Sequence, residues 1–310
     1  MTRFELNILG CGSATCTRRH MPSCRVLNVR DRLLMIDCGE AAQLQLRRMR
    51  LKPSRLGHIF LSHMHGDHVF GLPGLVSTLA LLNCRGTLTV HTFAEAAEVL
   101  RRFIDTFCQR VNLDLRFNVI SPEGGETVLD EAGFTVSTFK LYHRVPCVGF
   151  LVREKPKLRH INGEMARFHG VPTYAMQALR EGADWEAPDG RVIPNEWLTT
   201  PADASISYAY CSDTVYDRRV AAAVQGVDWL YHEATYGDDA APKAMPRGHS
   251  TARQAAMVAR EAGVKRLIIG HYSSQYNDEE PLLAQAREVF PDTLLATEGL
   301  RLNLQHPSTE

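Results

Sequence analysis

No stretch of this chain approaches the roughly 20 consecutive apolar residues of a bilayer-spanning helix, so no membrane partner is expected. The opening residues, Met-Thr-Arg-Phe-Glu-Leu-Asn, move straight into a strand without a signal-like apolar block. Net charge is missing too, because 35 basic and 35 acidic residues cancel. That removes any global argument for nucleic acid, and an RNA contact would have to come from a local basic patch. There is no internal repeat and no low-complexity tract. The eight cysteines, at 11, 16, 24, 38, 84, 108, 147 and 211, never form C-x-x-C. Several lie in strand-like runs, so most are expected to be reduced core thiols, and a cytoplasmic address follows. What remains is ordinary globular material: 310 residues, 45% apolar and 23% charged, enough for a substantial core.

Against that plain background stands His63-Met64-His65-Gly66-Asp67-His68, three imidazoles and a carboxylate in six residues. His58–Ser62 before it reads as a buried strand, and an apolar helix follows from Gly71. The cluster therefore falls on a loop at a strand end. Side chains two apart in extended chain point the same way, so His63 and His65 can grip one cation. Gly66 is expected to turn the backbone sharply and send Asp67 and His68 to a neighbouring position. Imidazole with carboxylate suits zinc.

Strand-like runs at Phe4–Leu9, Arg25–Val29 and Leu33–Ile36 open the chain, and helical periodicity follows at 41–50, 71–82 and 94–107. Further strands are expected at 115–120, 134–139, 148–152, 206–211, 229–232, 267–270 and 293–296, with helices at 217–224, 251–262 and 281–290. Between about 153 and 200 the pattern breaks into a polar, proline-punctuated stretch without strand alternation. The expectation is a single α/β domain over 1–310: a four-layer αββα sandwich with an inserted arm at about 153–200.

One grammar recurs. Apolar runs deliver His143, Asp213, His232-Glu233 and His271 where a strand should end, as the run before His63 does. Functional groups gather at strand ends because the sheet is rigid and its loops are free to specialise. His63, His65 and His143 can serve one ion, Asp67, His68 and His271 a second, with Asp213 bridging. His232 points opposite to Glu233 if the strand continues through both, which suits a structural hydrogen bond better than catalysis. His20, His58, His91, His160, His169 and His306 have no partner by spacing.

These segments resemble the metallo-β-lactamase superfamily and, within it, the ribonuclease Z family of tRNA 3′-processing endoribonucleases. The resemblance runs through Leu9–Ala14, the D-x-G-E turn at Asp37–Glu40, His63–His68 with Gly71–Leu75, His143–Pro146, Asp213-Thr214, His232–Thr235, Gly248–Ala252 and His271–Ser274. The H-x-H-x-D-H motif marks only the superfamily; H-E-A-T with G-H-S-T-A is more specific. It implies the αββα sandwich, the seven ligands named above and two zinc ions per subunit, with manganese as the alternative. It also implies removal of the 3′ trailer from precursor tRNA by metal-hydroxide attack, leaving a 3′-hydroxyl on the tRNA and a 5′-phosphate on the trailer. Asp67 would orient the nucleophile, and His249, held by Glu233, would protonate the leaving oxygen; the competing role for that pair is a helix cap or a support for the ligands.

In this family the inserted arm clamps the tRNA body, and a homodimer lets one subunit's arm serve the other's site. Here Arg153, Lys155, Lys157 and Arg159, with Arg167, outnumber Glu154 and Glu164 and are expected to bind phosphates. Two features depart from the family: no Gly-Pro-rich arm tip, and Cys16 where the first turn commonly carries proline. Two alternatives compete with this reading. A related hydrolase of small phosphodiesters or thioesters would need neither the arm nor the Glu233/His249 pair. A metal-free RNA-binding protein would not need all seven ligands.

Overall fold

A computed structural model describes residues 4–108 and 112–305; His306 lies outside them. The chain divides into two compact units. The larger runs to Glu131 and takes in Thr135–Arg153 and everything from Ile206 onward, while the smaller is Ala132–Phe134 with Glu154–Ser205.

Two seven-stranded sheets make up the larger unit. In chain order the strands are β1 (Phe4–Gly10), β2 (Cys24–Val29), β3 (Arg32–Ile36), β4 (Leu56–Phe60), β5 (Thr87–Thr92), β6 (Asp114–Val119), β7 (Gly124–Asp130), β8 (Phe134–Leu141) and β9 (Cys147–Glu154). They continue with β10 (Ser207–Cys211), β11 (Trp229–Glu233), β12 (Arg266–Gly270), β13 (Thr293–Leu295) and β14 (Arg301–Asn303). One sheet has the order β14-β1-β2-β3-β4-β5-β6, the other β13-β12-β11-β10-β9-β8-β7. From β3 to β6 and from β10 to β13 neighbouring strands run parallel, as helical crossovers require.

The central strands β2, β10 and β11 are buried along their whole length because both faces are covered. The sheets face each other: the rings of Phe60 on β4 and Phe150 on β9 lie 5.4 Å apart. Helices Ala42–Arg48, Gly71–Leu81 and Ala94–Phe107 share a core with the first sheet through Leu46, Leu72, Leu75, Leu100 and Ile104. Helices Ala252–Ala262 and Glu280–Arg287 cover the second. The result is the expected four-layer sandwich.

Three strands escape the sequence pattern, β5, β7 and the three-residue β14. The alternation in β5 is carried largely by threonines, and β7 is a half-exposed strand with a Gly-Gly start that reads as a turn. The small unit also differs from its polar appearance. It has a core of its own, Ala166, Val171, Ala175, Leu179, Ile193 and Leu198. Two miniature ladders frame it, His160–Ile161 with Thr199–Thr200 and Trp185–Glu186 with Val192–Ile193. Strands of two residues are too short to show alternation, which is why the sequence hid them.

Candidate metal centre

The strand-end grammar has a geometric counterpart. His63 and His65 follow β4, His143 follows β8, Asp213 follows β10 and His271 follows β12. His63 Nε2 lies 3.0 Å from His65 Nδ1, and His143 Nε2 lies 3.3 Å from the same atom. Asp213 Oδ2 faces this trio, 3.6 Å from His63 Nε2 and 3.9 Å from His143 Nε2. A second group meets Asp213 from its other side. His68 Nε2 and His271 Nε2 are 3.3 Å apart, both 3.5 Å from Asp67 Oδ2, and lie 3.5 and 3.2 Å from Asp213 Oδ1. The structure thus brings together all seven side chains proposed as ligands.

Asp213 Oδ1 is buried and has no hydrogen-bond partner among the described residues. A buried carboxylate oxygen without a donor is costly. Imidazole nitrogens converge on both of its oxygens, an arrangement that fits cations on either side of Asp213.

The far side of each ring fixes its tautomer. His68 Nδ1 donates to Asp37 at 2.7 Å, His143 Nδ1 to the Gly248 carbonyl at 2.7 Å, and His271 Nδ1 to Thr235 Oγ1 at 2.8 Å. His63 Nδ1 meets Ser62 Oγ at 3.0 Å. Each of these rings is left with Nε2 free to ligate. Burial, with the neighbouring histidines, holds His63 well below the usual imidazole range, which keeps it neutral as a ligand must be.

Gly66 does not make the expected sharp turn. It opens a one-turn helix, Gly66–Val69, that carries Asp67 and His68, and it has no positive φ. A Cβ there would stand 2.2 Å from the ring of Phe70, an exposed side chain that can swing aside. Gly248 has φ 78°, and a Cβ there would come within 2.5 Å of His143 Nδ1, the atom its carbonyl receives.

Sequence reasoning missed the layer behind His68. Asp37 takes hydrogen bonds from Ser62 N at 2.8 Å, from Ser62 Oγ at 3.0 Å and from the Tyr210 hydroxyl at 2.7 Å. Tyr210 in turn receives one from Arg25 Nη1 at 2.7 Å, and all three side chains are fully buried. Burial works against the Asp37 carboxylate, but His68, Ser62 and Arg25 outweigh it and hold its pKa below the usual value. Polar residues inside otherwise apolar strands, Arg25 in β2 and Tyr210 in β10, were the available signal, as was Asp37 at the end of β3.

Glu233 ends β11 fully buried. Its Oε1 accepts from Thr214 N at 3.1 Å, Ser250 N at 3.0 Å and His249 Nδ1 at 3.0 Å, and its Oε2 from Thr235 N at 3.0 Å and Thr235 Oγ1 at 2.7 Å. Burial raises its pKa, but His249 overcomes this and holds it at about 2. The same pairing outweighs burial at His249 and lifts it to about 9. A capping box just beyond His249 sets it in place, with Thr251 Oγ1 accepting from Gln254 N and Gln254 Oε1 from Thr251 N. His232 points the other way: fully buried, it donates Nδ1–H to the Glu233 carbonyl at 2.7 Å.

His65, Asp67, Asp213, His249 and His271 line a cleft of about 710 Å³. Arg144 and Arg247 stand on its wall and Phe70, 68% exposed, on its rim. The four basic residues proposed for the arm are not alike. Arg153 is exposed, whereas Lys157 Nζ pairs with Glu154 at 2.9 Å and bonds Ala204 O at 3.0 Å, and Arg159 Nε bonds Thr199 Oγ1 at 2.7 Å. Lys155 donates its backbone N–H to Gly133 O at 3.0 Å.

Comparison with known proteins points the same way. Ribonuclease Z of Parabacteroides distasonis is 49% identical over 304 residues, 98% of this chain and 100% of that protein. Ribonuclease Z of Phocaeicola vulgatus is 45% identical over 305 residues, 98% and 99% of the two chains. Among solved structures, the short form of human tRNase Z matches with a TM-score of 0.69 at 22% identity, over 97% of this chain and 99% of that one. The metallo-β-lactamase fold protein YhfI of Bacillus subtilis matches with a TM-score of 0.68 at 18% identity, over 96% and 98%. A family model described as anti-Pycsar protein Apyc1 matches residues 4–158. That span holds His63–His68 and His143 and stops short of Asp213, Glu233, His249 and His271.

Proposed function

Because this chain belongs to the ribonuclease Z family, we propose that it cleaves precursor tRNA at a paired zinc centre with a separate proton donor. It is an endoribonuclease of tRNA 3′ processing, and its fold implies a divalent metal. The observation that carries the paired centre is Asp213, which turns one carboxylate oxygen to each of two imidazole groups. His63, His65, His143 and Asp213 would hold one ion, and Asp67, His68, His271 and Asp213 the other. The nitrogen-rich donor set favours zinc, with manganese as the alternative. When bound, such a pair activates water at neutral pH and neutralises charge on the phosphoryl oxygens.

The chain's own residues do the rest. Asp67, fixed by the Ala14 N–H at 2.7 Å, orients the attacking water and takes its proton. Arg144 and Arg247 anchor flanking phosphates. As the P–O3′ bond breaks, His249 delivers its proton to the leaving 3′-oxygen while Glu233 keeps the ring aimed. The products are a 3′-hydroxyl on the tRNA and a 5′-phosphate on the trailer, made in the cytoplasm where the substrate is and where the eight free thiols stay reduced.

The small unit serves as the arm that holds the tRNA body. Its ends meet, Ser205 Oγ bonding Lys155 O at 3.1 Å, so residues 155–204 can be replaced by a short Gly-Ser linker. That variant should lose precursor-tRNA cleavage by about 10²-fold or more, the effect of lost positioning, and keep hydrolysis of a small phosphodiester reporter. Equal losses on both substrates would reject the arm's role.

A homodimer is supported by an apolar strip on the paired helices Gly71–Leu81 and Ala94–Phe107, where Leu81, Val99, Phe103 and Phe107 are exposed and the rings of Phe103 and Phe107 lie 4.7 Å apart. A second copy is the occupant proposed for it. Light scattering should return twice 34.7 kDa for the native chain and 34.7 kDa for Phe103→Glu/Phe107→Glu. A native monomer would refute the dimer.

A further inference from the structure

We infer that Cys11, His20 and Glu298 form a third cation site, for zinc or a similarly thiophilic divalent ion, apart from the two-ion centre. Nothing in their spacing suggests it, since His20 and Glu298 are 278 residues apart. The fold brings them together: His20 Nδ1 lies 2.9 Å from Glu298 Oε2 and 3.3 Å from Cys11 Sγ. One donor atom from each residue falls within 4.8 Å of the other two. Thiolate, imidazole and carboxylate together make a zinc-like set.

Each member is held for that task. Cys11 is fully buried at the end of β1, and its carbonyl accepts from Tyr272 N at 3.0 Å. Glu298 is pinned through Oε1 by Met21 N at 2.9 Å and Cys11 N at 3.3 Å, which leaves Oε2 to face the other two groups. On the far side of the imidazole, Nε2 bonds Glu279 Oε1 at 3.0 Å, and Glu279 is itself paired with Arg19. A carboxylate behind a histidine is the support that metal-bound imidazoles usually have. Zinc bonds of about 2.0–2.3 Å set tetrahedral ligand atoms roughly 3.3–3.6 Å apart, so His20 Nδ1 would move away from Glu298 Oε2 and from Cys11 Sγ by about 0.5 Å or less on taking up an ion. Cation uptake displaces the thiol proton, and the Nδ1 proton where His20 is charged, to solvent.

The site would knit the loop 11–22 to the segments carrying Tyr272 and Glu298. That loop also supplies the Ala14 N–H held by Asp67, so the ion would stiffen one wall of the catalytic cleft without touching substrate.

Cobalt(II) reconstitution of the full chain tests it. A near-ultraviolet thiolate-to-cobalt charge-transfer band is expected, lost in Cys11→Ser and kept in Cys147→Ala, whose thiol lies 3.7 Å from His63 Nδ1 at the two-ion centre. Metal analysis should find three ions per chain in the native protein and one fewer in Cys11→Ser. Should Cys11→Ser fail to fold, Glu298→Gln, which keeps the thiol, should show the same loss of one ion with a weakened band. No band in the native protein, or a band that survives Cys11→Ser, would overturn the site and leave a proton-linked clamp of His20 between two carboxylates. The two-ion centre contains no cysteine, so a failure of that reading cannot imitate either result.

Discussion

Asp213→Ala should emerge from purification with almost no bound zinc and should cleave precursor tRNA at least about 10³-fold more slowly, since one lost charge-stabilising donor already costs 10²–10³. The size follows from its position between the two groups. Oδ2 is within 3.9 Å of His63 and His143, and Oδ1 within 3.5 Å of His68 and His271. On the proposed two-ion reading, removing it would take one ligand from each ion at once and half of the carboxylate charge that Asp67 and Asp213 place there. Elemental analysis decides the matter before any assay: a folded Asp213→Ala protein that keeps two zinc ions would refute the bridge. Asp213→Asn is the finer probe. It preserves shape and removes charge, so it should retain more metal than alanine and less than the native chain.

The sandwich and the strand-end placement of the candidate ligands were legible because both are written in local pattern. Alternating apolar strands and amphipathic helices specify layers, and a histidine directly after an apolar run stands at a sheet edge wherever that strand lies in the order. Contacts that depend on strand order were not legible. Arg25, Tyr210 and Asp37 sit in β2, in β10 and after β3, and become one hydrogen-bonded chain only when two sheets face each other. His20 looks partnerless in the sequence because Glu279 and Glu298 reach it from the opposite end of the chain. The arm's basic residues look like a patch there too, but charge in a sequence says nothing of pairing. Lys157 faces Glu154 three residues away, and Arg159 is taken by Thr199. A phosphate-binding surface on the arm therefore depends on its other cations.

His249→Ala should slow single-turnover cleavage by about 10²–10⁴, the range of a lost general acid, while the dissociation constant for precursor tRNA barely moves. The geometry separates it from the ligands. Its Nδ1 is taken by Glu233 at 3.0 Å, the ring sits 5.1 Å from that of His143, and it lines the cleft. Glu233 is satisfied by five donors, two of them from the loop that carries His249, so its carboxylate reads as a fixed anchor and not as a proton acceptor during turnover. With Glu233 behind it, His249 stays charged in the neutral range, as a donor to an alkoxide must be. A substrate with sulfur in place of the bridging 3′-oxygen distinguishes acid catalysis from a structural role, because a thiolate leaves without a proton. On that substrate His249→Ala should approach the native rate, and Glu233→Gln should follow it on both substrates with a smaller loss. If His249→Ala is equally slow with oxygen and with sulfur leaving, the histidine shapes the site and the proton comes from elsewhere.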